Sequence, residues 1–251
     1  DPDLAAATAL AARAPRAHAM TSVRDLLNLH APFAAHVCTP TRRHFEIASE
    51  LVAAGVHVLV EKPLCQTLEE TRTLVAQAQQ RGVVVCPVHQ YAFQRGIERA
   101  LDWSNALGAI RRISFDICSA GADGLAPGQR MTVIDEILPH PISILQRLAP
   151  ATLLGAAAWS IMTRTEGEYV AHASTNGPIA SISISLNARP TSFFTLVETD
   201  HGAITIDGFH GFATLSRGRA SRLTKLTGPF ARSSNTLATA ALNLARRTVQ
   251  R

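Results

Sequence analysis

The sequence predicts an α/β chain in two parts. An incomplete parallel sheet wound with helices occupies residues 1–88, and an α+β region with an open, mainly antiparallel sheet occupies residues 89–251. Three observations predict this. Short apolar runs alternate with helical stretches up to Val88, as in βαβ units. Beyond Gly108 the apolar period changes to the two-residue alternation of strands. One run, Val58-Leu59-Val60, reads as a buried parallel strand and ends abruptly in Glu61-Lys62-Pro63. Ligand crevices of open α/β sheets lie outside the carboxyl ends of such strands, so this carboxylate and amine stand where chemistry is usually done.

Residues 3–13 are Ala-rich and helical by propensity, with Asp1 or Asp3 as N-cap. Ala17-His18-Ala19-Met20 reads as a short strand, and Thr21 or Ser22 caps a helix from Val23 to Leu29. Ala34 to Cys38 is a strand closed by Thr39-Pro40. Arg42 to Ala54 is a helix stopped by Gly55. After the strand at Val56–Val60, Thr67 with Glu70 forms a capping box for a helix to Gln80, and Gly82 ends it. Val83 to Cys86 is a buried strand. Gln90 to Ala106 reads as one helix, Arg111 to Cys118 as a strand, and Ala120 to Gln129 as a Gly/Pro-rich loop. Ile134 to Leu148 has helical spacing, disturbed in its first turns by Pro139 and Pro141. Strands are expected at 152–163, 168–175, 178–187, 192–199, 202–206 and 210–215, and a helix from Ser233 to Arg251.

Composition narrows the function classes. The chain has 251 residues, 47% of them hydrophobic, enough for a sizeable core. No apolar run reaches the roughly 18–20 residues of a membrane helix, and the acidic start Asp1-Pro2-Asp3 lacks the basic region of a signal peptide. Cys38, Cys65, Cys86 and Cys118 are far apart in sequence, with no Cys-x-x-Cys and no Cys/His cluster at metal spacing. A reducing cytoplasm is therefore expected, and no metal. From Gly208 onward there is no Asp or Glu, while Arg217, Arg219, Arg222, Lys225, Arg232, Arg246, Arg247 and Arg251 make a basic tail. Such a tail can meet an anionic partner, but without interleaved aromatics nucleic acid is not the expected partner. The chain has two lysines, Lys62 and Lys225. Lys can give up a proton where Arg cannot, which singles out Lys62 at a strand end.

Taken together, Cys38-Thr39-Pro40-Thr41-x-x-His44, then Ala54-Gly55-Val56-His57-Val58-Leu59-Val60-Glu61-Lys62-Pro63, then Glu136-x-x-x-His140 resemble the Gfo/Idh/MocA family of oxidoreductases. The resemblance implies a Rossmann-like dinucleotide-binding domain, here partial and ending at residue 88. It also implies a substrate and oligomerisation domain with an open sheet. The implied cofactor is NAD or NADP. The implied reaction moves a hydride to or from a carbon bearing oxygen on a sugar, polyol or related small molecule. By the same resemblance Lys62 and His140 are catalytic. His140 is the acid/base, and Glu136, four residues before it, orients it or holds the substrate. The family carries Asp at that point; Glu136 has a longer arm, and Asp135 competes with it out of register. Thr39, Pro40, His44, Glu61, Lys62 and Pro63 fall on the cofactor side, with His44 also readable, and somewhat more readily, as a residue that caps or orients the turn. His89 and Gln90 are assigned to substrate from position alone. Pairing of copies through the open sheet, along the strands between 152 and 199, is expected.

The departure from the family is at the front. A dinucleotide domain holds the pyrophosphate on a Gly-x-Gly-x-x-Gly turn opening a helix, and this sequence contains no such turn. Two readings follow: a fragment of a complete dehydrogenase, or a shortened chain that serves as a binding or scaffold module without dinucleotide. The uncovered sheet edge of a shortened chain is an aggregation hazard, which favours the fragment.

Overall fold

The computed structural model describes residues 1–126, 128–149, 158–163, 165–174, 178–218 and 222–249. The chain divides into two compact units, Asp1–Val88 and His89–Arg251.

In the first unit α1 (Leu4–Ala11), α2 (Val23–Leu29), β1 (Ala34–Val37), α3 (His44–Ala53), β2 (His57–Val60), α4 (Leu68–Arg81) and β3 (Val85–Pro87) follow in order. The caps are those the sequence marks. The Asp3 carboxylate accepts the Ala5 and Ala6 N–H groups, and the Ser22 hydroxyl accepts that of Asp25. Thr67 and Glu70 exchange the two bonds of a capping box, and Gly82 ends α4 at φ 65°. The strands form a parallel sheet in the order β1-β2-β3, with Val37 abreast of Val60 and Val58 abreast of Val85. Alternate strand residues point to opposite faces. Val37, Val58 and Val60 are buried with Ala48, Leu51, Val52 and Leu74 of the helices in one core. The opposite face, with His36, Leu59 and Cys86, is exposed. The β2 run was expected to be buried throughout; among the described residues that face carries no helix, and Leu59 is 39% exposed. The expected strand at 17–20 does not form.

The second unit opens with a 3-10 turn, Gln90–Phe93, before α5 (Arg95–Ala106). It continues with β4 (Ile110–Cys118), α6 (Arg130–Ile137), α7 (Pro139–Leu148), β5 (Ala158–Met162), β6 (Glu168–Ser174), β7 (Ile179–Ser185), β8 (Ser192–Thr199), β9 (Gly202–Asp207), β10 (Phe212–Arg217) and α8 (Arg222–Val249). The seven strands are ordered β10-β9-β8-β4-β7-β6-β5. Every pairing is antiparallel except the central β4–β7 pair, which is parallel. Ile113, Phe115 and Ile117 of β4 face a core that contains Ile97 and Ala100 of α5 and Ile144 and Leu145 of α7. A Cβ on Gly96 would stand 3.0 Å from the Phe212 backbone, so the close approach of α5 to β10 needs glycine there.

Three sequence expectations are corrected. The helix expected over 90–106 is a 3-10 turn followed by α5. The helix expected over 134–148 is two helices meeting at Leu138, because Pro139 and Pro141 have no N–H for the carbonyls of Asp135 and Ile137. The C-terminal helix begins at Arg222 instead of Ser233 and carries Pro229 inside it. Asn235 and Asn243 tie α8 to β10 and the turn before it, donating to the carbonyls of Leu215 and His210. The start of the strand expected at 152–163, the last residue of the strand expected at 168–175 and the last two residues of the chain lie outside the described residues.

Candidate functional site

In the first unit the candidate residues gather where β1 and β2 end. β1 runs out into Cys38-Thr39-Pro40, and β2 into Glu61-Lys62-Pro63, whose Lys62–Pro63 peptide is cis. The Glu61 N–H donates to the Val37 carbonyl at 2.9 Å, which keeps the two strand ends abreast. His44, at the start of α3, joins the segments beyond. Its Nε2 lies 2.7 Å from the Thr39 carbonyl oxygen and its Nδ1 2.8 Å from that of Pro63. A carbonyl oxygen only accepts, so whichever ring nitrogen carries a proton donates to the carbonyl it faces.

His44 is 1% exposed, and both of its nitrogens face the backbone. The sequence placed it on the cofactor side and read it also as a residue that orients the turn, and these contacts fit the second reading. No polar atom of the ring is left to hold a ligand, and the side chain instead sets the distance between the Thr39 and Pro63 segments. The Thr39 hydroxyl oxygen, by contrast, is buried without a hydrogen-bond partner. Lys62 and Pro63 are half-buried, and Pro40 is exposed. Glu61 pairs with His36, Oε1 to Nε2, at 3.4 Å.

In the second unit His140 lies in the first turn of α7 and Glu136 in the last turn of α6. Leu138 between the two helices keeps helical backbone angles, φ −51° and ψ −37°, and its N–H donates to the Ile134 carbonyl, so the four-residue spacing of Glu136 and His140 runs along one helical path despite the missing proline N–H groups. Asp135 lies beside Tyr169, whose hydroxyl is pushed up in pKa first by burial and then by the Asp135 charge. The Tyr91 ring meets the His140 ring edge-on at 4.5 Å and packs on Phe193 at 5.0 Å. Tyr91 was not among the sequence candidates; its place just after His89-Gln90 at the end of a strand was the available signal. His89 is half-buried, its Nδ1 lacks a hydrogen-bond partner, and burial lowers its pKa. Gln90 is exposed.

Residues 1–89 match the family described as "Oxidoreductase family, NAD-binding Rossmann fold". Over these residues, about a third of its length, the chain is similar to the Gfo/Idh/MocA oxidoreductases. Among curated relatives, the putative oxidoreductase YceM of Salmonella typhimurium is 46% identical over 142 residues, 55% of this chain and 44% of the relative. The UDP-N-acetylglucosamine 3-dehydrogenase of Acidithiobacillus ferrooxidans is 28% identical over 171 residues, 62% of this chain and 49% of the relative. The chain thus spans about half or less of the length of these relatives. A solved inositol dehydrogenase homolog from Azotobacter vinelandii, complexed with NADH and myo-inositol, has the same fold, with a TM-score of 0.73 at 21% identity over 88% of this chain and 65% of that one.

The residues present fit part of what the family name implies. A buried, unpartnered hydroxyl at the end of a parallel strand is a ready hydrogen-bonding group for a ligand in the crevice beyond. The Gly-rich turn that holds a pyrophosphate is not in the sequence. No helix among the described residues is long and apolar enough to cross a membrane.

Proposed function

We propose that this chain forms part of an NAD(P)-dependent dehydrogenase or reductase acting on a carbon–oxygen centre of a sugar, polyol or related small molecule. The observation that carries the reading is that the His44 ring spans the Thr39 and Pro63 carbonyls, which draws together the segments bearing the unpartnered Thr39 hydroxyl and Lys62. That arrangement fixes two strand ends of a parallel sheet where a dinucleotide is bound in such folds. The relatives named as sugar and inositol dehydrogenases support the substrate class.

A bound nicotinamide supplies hydride acceptance or donation. In this reading Thr39 and Pro40 line its side of the crevice and Lys62 polarises the reacting oxygen. His140 takes the hydroxyl proton in oxidation and returns it in reduction, since an imidazole titrates near the working pH. Tyr91 holds the His140 ring edge-on. Glu136 is the carboxylate assigned to orient His140 or hold the substrate. His89 and Gln90 are assigned to substrate by position. Pairing of two copies through the outer face of the seven-stranded sheet, and a cytoplasmic location, belong to the same reading.

The test is turnover in the protein as its gene encodes it, screened on sugars and polyols with either cofactor. Lys62→Ala and His140→Ala are each expected to lower kcat at least tens-fold. Near-normal turnover in both variants rejects the assignment. The alternative reading is a binding or scaffold protein of the same fold that takes no dinucleotide. It is distinguished by the absence of any cofactor binding.

A further inference from the structure

On the exposed face of the first sheet stand three side chains that the oxidoreductase reading does not bring together. His36 and Cys38 lie two positions apart at the end of β1, so strand alternation directs both to one face. The parallel register sets Val37 abreast of Val60, and the next residue on each strand is Cys38 and Glu61. One ligand atom from each of His36, Cys38 and Glu61 lies within 4.8 Å of the other two, and the His36–Glu61 pair is already at 3.4 Å. We propose that His36, Cys38 and Glu61 form a binding site for a divalent transition-metal ion of the zinc class.

Imidazole, thiolate and carboxylate together are the donor set of borderline-soft ions, Zn²⁺ and Co²⁺ above all, and not of Mg²⁺ or Ca²⁺. Ligands bonded at about 2.0–2.3 Å in a tetrahedron stand about 3.3–3.8 Å apart. Side-chain rotation of about 1 Å therefore closes this cluster on an ion, with the strand backbones unmoved. Two of the donors come from β1 and the third from the first residue past β2, held by its N–H to the Val37 carbonyl. A plain surface pair explains His36 and Glu61 but gives the thiol no part. Exposed side chains on this face leave a fourth position to water, an open rather than a closed coordination.

Burial and then the Glu61 charge push the Cys38 thiol up in pKa. A dication reverses the sign of that field and takes the thiolate, neutralising the two anionic ligands. Metal binding therefore releases about one proton per ion near neutral pH. No metal spacing is visible in the sequence because Glu61 lies 23 residues from Cys38 and reaches it through strand pairing alone.

The test titrates Co²⁺ into the full chain under reducing conditions and follows the thiolate-to-cobalt charge-transfer absorbance, with Zn²⁺ added afterwards. A 1:1 complex is expected, with a dissociation constant of about 10 µM or tighter, bleached by Zn²⁺ and accompanied by proton release. Cys38→Ser is expected to abolish the thiolate band, and His36→Ala and Glu61→Gln to weaken Co²⁺ binding at least tenfold. Cys86→Ser, on the same exposed face, is expected to leave it intact. Circular dichroism of each variant establishes that it is folded. Absence of the band in the wild-type chain, its survival in folded Cys38→Ser, or its loss in Cys86→Ser overturns the site. None of these outcomes depends on dehydrogenase activity, so failure here leaves the oxidoreductase reading standing.

Discussion

The two units use buried histidine nitrogens in opposite ways. In the first, both ring nitrogens of His44 face backbone carbonyl oxygens, at 2.7 and 2.8 Å. In the second, the Nδ1 of His89 is buried with no hydrogen-bond partner, and burial lowers its pKa. A ring whose nitrogens both meet main-chain acceptors is a brace. A ring with an unmet buried nitrogen keeps a polar group for something else. The difference teaches that residue type and strand-end position do not by themselves separate a ligand-binding histidine from a structural one; the hydrogen-bond count does.

Removing the brace is the strongest way to break this comparison. His44→Ala removes the ring that the Thr39 and Pro63 carbonyls face and opens a cavity beside α3. It is expected to cost the first unit about 3 kcal/mol. Amide hydrogen exchange should speed up across α3 and β2 and stay unchanged across β4 and β8. Unchanged protection in α3 would mean that the brace carries no stability.

The counterpart in the second unit is a pH effect of smaller size. Because the folded pKa of His89 lies below its ordinary value near 6.5, the unfolded chain binds more protons between the two values. The contribution is present above the unfolded value and is lost as the pH falls from there through the lowered folded value. Denaturant midpoints measured from pH 8 down to pH 5 should fall on the acid side, and His89→Gln should flatten that part of the curve. A wild-type slope of the opposite sign, or a slope unaltered in the variant, contradicts a buried neutral His89.

Local chemistry made much of the fold legible. The Asp3 and Ser22 caps, the Thr67–Glu70 box and the Gly82 stop are short-range patterns, and each forms as its residues dictate. The change of period near residue 108 marked the large sheet for the same reason. What escaped the sequence depends on distant partners. The parallel β4–β7 pair joins strands some 70 residues apart. The exposure of Leu59 depends on what covers the sheet, and an apolar run reads the same with one face covered or two. At Pro139 and Pro141 the sequence held the signal for a break, and the missing N–H groups split the helix where spacing alone runs through.

The candidate site divides in the same way. Thr39, Lys62 and His140 were legible as motif residues. The two carbonyls that the His44 ring faces lie five and nineteen residues away along the chain. The Tyr91–His140 ring contact, between residues 49 positions apart, had no pattern to announce it.

The central claim is that the ends of β1 and β2 are one side of a dinucleotide site, and cofactor binding tests it most directly. NADH and NADPH fluorescence would be titrated against the chain and against the chain preceded by whatever its gene encodes upstream of Asp1. Saturable binding of one cofactor by the longer form is expected. Thr39→Val, which removes the unpartnered hydroxyl and keeps the shape, should weaken that binding about tenfold, the worth of one hydrogen bond. No binding by either form, or undiminished binding by Thr39→Val, would contradict the claim.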